Sequence, residues 1–145
     1  MILITLSIIA TLIMTGFSYL VSFITKQQFR EPELLNRLVA SSIIPLKPNP
    51  PNILGWIIHF IIGYVLSLGL LNGWKILNIS FLFYGISGGI ILGIIGIIGW
   101  YIMLKINPNP PQICRKPFYS HLIFAHIIFS LSYLGGLILT GFNYS

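Results

Sequence analysis

Of 145 residues, 56% are hydrophobic and 7% charged, against about 25% charged in soluble domains. That balance excludes a water-soluble globular domain and predicts an integral membrane protein. The net charge of +6 fits anionic lipid headgroups, so no nucleic-acid partner is expected.

The ten charged residues leave four long charge-free stretches, at residues 1–25, 53–71, 79–104 and 117–142. A helix rising about 1.5 Å per residue needs roughly 20 apolar residues to cross a hydrocarbon core of about 30 Å, and each stretch meets that length or nearly so. None alternates as barrel strands do, and backbone in lipid must pair internally. The expectation is an all-α membrane protein, one four-helix transmembrane domain over residues 1–145. The first stretch lacks a basic leader and a small-residue cleavage pattern, so it is expected to stay in the mature protein.

The first loop carries Lys26, Arg30, Arg37 and Lys47, the third carries Lys105, Arg115 and Lys116, and the second only Lys75. The positive-inside rule therefore places loops one and three in the cytoplasm and both termini outside. Within the first loop, residues 30–39 predict a short amphipathic cytoplasmic helix. Pro32 suits its first turn, Glu31 and Glu33 complement its N-terminus, and Leu34, Leu35 and Leu38 share a face. This helix is expected along the membrane surface. Proline-rich connectors at 45–51 and 107–111 precede the second and fourth spans as rigid spacers. The single cysteine, Cys114, can form no intrachain disulfide.

The third span holds Gly85, Gly89, Gly93 and Gly96 on a stripe without side chains. In lipid, such a stripe lets backbones approach and gain dispersion contacts. It predicts helix packing within the chain or, alternatively, homodimerisation. Ser132, Gly136 and Thr140 in the fourth span form the expected counterpart.

The histidines stand out. His59 and His126 lie roughly 9 and 14 Å into the second and fourth spans, which enter from the same side, so they can share a level. His121 is turned about 140° from His126, and the two cannot hold one metal from a regular helix. His126, Ser130 and Tyr133 share a face. An ionisable side chain at this depth faces the bundle and needs a partner. His59, His126, Ser130 and Tyr133 therefore form the candidate intramembrane polar or ligand site. One reading has neutral imidazoles bonded to Ser130, Tyr133 or backbone carbonyls, fixing register between the second and fourth spans. Another has His59 and His126 ligating a b-type haem. A zinc site lacks ligands, so no metal is expected.

The sequences Thr11-Leu-Ile-Met-Thr15 and Gly55-Trp56-Ile-Ile-His59-Phe-Ile-Ile-Gly63, a glycine-rich third span ending at Trp100, and His126 leading to Gly135-Gly136 carry a resemblance. This order resembles small four-helix bacterial membrane proteins of uncharacterised function. The resemblance implies a four-helix bundle in the bacterial inner membrane, with His59 and His126 as signature positions and Ser130 where that pattern has glycine.

Enzyme and exporter readings lack material. Small multidrug exporters need a membrane-embedded glutamate, and Glu31 and Glu33 are expected in a loop. Lipid phosphotransferases need clustered aspartates, and the sequence has none. The expected function is thus a noncatalytic structural or accessory subunit, in contact with the lipid bilayer and with a second copy or a larger membrane complex. The alternative is a haem-binding or ion-conducting protein centred on His59 and His126.

Overall fold

The computed structural model describes residues 1–77 and 79–142, and these contain five helices and no strand. They are α1 (Ile2–Thr25), α2 (Glu31–Ala40), α3 (Ile53–Leu77), α4 (Phe81–Ile106) and α5 (Arg115–Leu139). The long four, α1, α3, α4 and α5, are the spans that the charge-free stretches predict, each long and apolar enough to cross a membrane. The C-terminus, expected outside, falls among residues 143–145 and so lies outside the described residues.

The helix ends follow local chemistry. After Thr25 the chain reverses at Lys26, whose φ of 58° is left-handed. Gly141, with φ of 62°, closes α5 in a double-bonded turn: its N–H reaches Ile138 O, and the Phe142 N–H reaches Leu137 O at 3.1 Å. That closure ends the fourth span before the predicted limit at residue 142. The second span runs beyond its predicted end to Leu77, taking Lys75 into its last turn.

α5 is the central helix, packed most extensively on α4 and next on α1, while α3 rests on α2 and α1 and barely touches α4 or α5. Gly85, Gly89, Gly93 and Gly96 all face α5 of the same chain. A Cβ at Gly93 would lie 2.7 Å from Ile123 Cα, and one at Gly89 would collide with the Ile127 backbone. Ser132, Gly136 and Thr140 are not their counterpart. Gly136 meets Leu6 of α1, because the α5 face opposite α4 is the one carrying Ile123, Ile127 and Leu131.

The first loop differs most from expectation. α2 is helical as predicted, but Glu31, Pro32, Leu34, Leu35 and Asn36 are buried against the bundle rather than laid on its rim. The reversal at Lys26 sends the chain back inward. Glu31 reaches Ser18, seven residues before the end of α1 and thus about 10 Å along it. Non-helical backbone at such depth is tolerated where protein covers it. Asn36 locks the arrangement: its Nδ2 donates to Pro50 O at 2.8 Å and Asn52 O at 2.7 Å, and its Oδ1 accepts from Gly55 N–H at 2.8 Å. Gly55 has no room for a Cβ, which would strike Pro32 O.

Candidate functional site

Ser7, Thr11, Thr15, Ser18 and Ser22 recur on α1 at helical steps, and all five are buried. Thr11 donates to Ser7 O at 2.8 Å and Thr15 to Thr11 O at 2.7 Å. With its only proton committed, Thr15 Oγ1 accepts from His59 Nε2–H at 3.1 Å. His59 therefore keeps a lone pair on Nδ1. This bond ties α3 to α1, so His59 does not fix register against α5.

One turn further along, Ser18 donates to Glu31 Oε1 at 2.9 Å, and His121 Nε2–H donates to Ser18 Oγ at 2.8 Å. The same nitrogen lies 3.6 Å from Glu31 Oε1. The imidazole is held flat between Phe17 and Phe29, with centroids 5.3 and 4.5 Å away. A nucleophilic relay needs serine on one imidazole nitrogen and the carboxylate on the other. Here both address Nε2, so the trio is a hydrogen-bonded brace and not a catalytic triad.

His126 Nδ1–H donates to Leu122 O of its own helix at 2.7 Å, which leaves the lone pair on Nε2. Side chains tilt toward the N-terminus of a helix, and the ring reaches back one turn instead of forward to Ser130. Ser130 and Tyr133 are buried, and neither side chain is hydrogen-bonded to His126. The face shared by His126, Ser130 and Tyr133 in sequence is therefore not a bonded group. Gly96 makes room for the ring, since a Cβ there would sit 3.0 Å from His126 Cε1.

Glu31, His59 and His126 line one cavity of about 190 Å³, together with Trp100, Gly96, Gly99 and otherwise aliphatic and methionine walls. The two histidines expected to share a site do border the same space, and the third polar wall comes from the loop glutamate. Glu31 is 3% exposed, and its Oε2 has no partner. By sequence both glutamates fall between spans, which argues against a carboxylate-based site. Burial of Glu31 removes that ground.

Haem does not fit. The cavity is smaller than the roughly 300–1,000 Å³ of pockets for drug-sized ligands, and Thr15 already engages His59 Nε2. Among the described residues, no three His, Cys, Asp or Glu side chains are placed to hold a metal ion.

Thr15, Ser18, Glu31 and His121 complete the polar layer. The α1 hydroxyls carried a readable signal in their four, four, three and four spacing. Glu31 carried none, because its depth depends on the reversal at Lys26. Comparison with protein-family models, with curated proteins and with solved structures gives no match.

Proposed function

We propose that this chain is a noncatalytic multi-pass protein of the bacterial inner membrane that binds a small molecule in the cavity bordered by Glu31, His59 and His126. The observation carrying this reading is Glu31, a buried carboxyl whose Oε2 has no partner beside two imidazoles that each keep a lone pair. Burying a polar atom unpaired costs roughly 1–3 kcal/mol, and more for a charge. A bundle selected only for packing does better with an apolar side chain there. Ionisable groups at membrane depth mark functional sites by default.

The cavity size agrees with this reading. About 190 Å³ holds one small ring, since an engineered apolar cavity of about 150 Å³ takes up benzene. The glycine face of α4 serves as the seam with α5, so assembly into a homodimer or larger complex would use another surface. Loops one and three face the cytoplasm in this reading, and Cys114 is exposed. A membrane-impermeant thiol reagent should leave Cys114 unlabelled in intact cells and label it after lysis. Labelling in intact cells would invert the topology.

Ligand binding is tested with Gly99→Phe. Gly99 borders the cavity, and a Cβ there meets nothing within 4 Å, so a larger side chain can start into the space from this position. In a thermal-shift panel of small aromatic amines, alcohols and acids, at least one class should stabilise the detergent-purified wild type, and none should stabilise Gly99→Phe. No response from the wild type, or equal response from both, refutes a binding cavity.

A further inference from the structure

The two imidazoles at the cavity have their protons assigned by their outer bonds, and the assignment is one-sided. Thr15 fixes the His59 proton on Nε2, Leu122 O fixes the His126 proton on Nδ1, and Glu31 Oε2 is unpartnered. His59 Nδ1 and His126 Nε2 are therefore acceptors, and the ionised carboxyl of Glu31 is a third. We infer that the occupant of this cavity is a small apolar amine, bound as its ammonium ion. This inference rests on the ligand-binding reading above and names the ligand class.

An ammonium group is the complement of such a wall, with three donors and no acceptor. Its charge matches the one carboxylate. Among the described residues no Lys or Arg borders the cavity, so a carboxylate or phosphate ligand would meet no cation and would oppose Glu31. Trp100 adds aromatic surface, which attracts cations where water is excluded.

The remaining walls select the ligand body. The cavity reaches the lipid-facing surface between α3 and α4, at Ile62 and Ile95, which are 41% and 49% exposed. α3 and α4 hardly touch; Tyr84 donates to Leu70 O at 3.0 Å near the end where the two helices join. A hydrocarbon ring can thus lie against aliphatic side chains while its ammonium faces Glu31. The volume limits the whole molecule to about eight heavy atoms, judged against benzene in about 150 Å³.

The test uses three probes of closely similar size on the full chain in detergent at neutral pH: benzylamine, benzyl alcohol and benzoate. Calorimetry should show benzylamine binding roughly tenfold or more tightly than benzyl alcohol, and no benzoate binding. Glu31→Gln should bring benzylamine down to the affinity of the alcohol and leave the alcohol unchanged. Should that variant fail to fold, the wild-type ranking decides, with Gly99→Phe as the folded, filled control. Equal affinity for amine and alcohol, or a preference for benzoate, overturns the amine assignment but keeps the binding cavity. Wild type that binds none of the three overturns both.

Discussion

At the end of the bundle that carries Met1 and Phe142, Leu6, Ala10, Phe129, Leu134 and Leu137 form an apolar core to which α1 and α5 both contribute. At the loop end, the second core of Phe29, Leu34, Leu35, Trp100, Phe118 and Leu122 is built around a chain reversal, and α2 supplies two of its residues. Between them lies the polar layer of Thr15, Ser18, Glu31, His59, His121 and His126, buried throughout. The first region follows the rule for helices in lipid, where close approach and dispersion hold the seam. The second departs from it. Its helices α3 and α4 stay apart, and the space between them is lined by groups whose burial costs stability. The contrast separates what holds the protein together from what it holds.

The comparison can be broken hardest at the α4–α5 seam. Gly93→Leu must displace the Ile123 backbone, and should lower stability by more than about 3 kcal/mol or prevent folding. Ile91→Leu, on a side chain 57% exposed, should stay within about 1 kcal/mol. Unfolding in mixed micelles measures both, and equal stability would mean the seam carries no load. Next comes Asn36→Ala, which strips three hydrogen bonds from the α2–α3 junction and should cost about 3 kcal/mol in the same assay. A loss under about 1 kcal/mol would show α2 docked by its leucines alone.

The polar layer should respond in the opposite sense. Glu31→Gln keeps an acceptor for Ser18 and removes a buried charge, so stability should hold or rise by about 1 kcal/mol. A drop of several kcal/mol would make Glu31 a structural ion-pair partner of His121 instead of a residue retained for binding. The smallest effect is expected at Gly99→Ala, where a methyl meets open space inside a helix. A gain of at most about 1 kcal/mol follows from lower backbone entropy in the unfolded chain.

The four spans were legible because charge spacing and hydrocarbon thickness fix them independently of tertiary contacts. The pairing of His59 with His126 around one space was legible too, from depth and entry side. The partners of each ring were not. Proton counting at Thr15 and Leu122 decides them, and both groups sit on backbone-bonded chains that a depth argument does not see. The angular offset correctly separated His121 from His126, yet His121 finds its partners on α1 and α2. Glu31 escaped because a left-handed turn at Lys26, a residue with no glycine-like signature, carries a loop residue down to the level of Ser18.

The Ser18–Glu31–His121 brace also bears on the order in which the protein is made. Ser18 and His121 are 103 residues apart, and Glu31 sits between them. During synthesis α1 and the reversal emerge long before α5 exists, so the carboxyl of Glu31 lacks its His121 partner for most of translation. In that interval α2 can join α3 through Asn36, but the inward seating of its Glu31 end is completed only when the last span arrives. A nascent chain stopped before α5 should leave the segment from Lys26 to Glu31 open to protease, and one stopped after it should protect that segment.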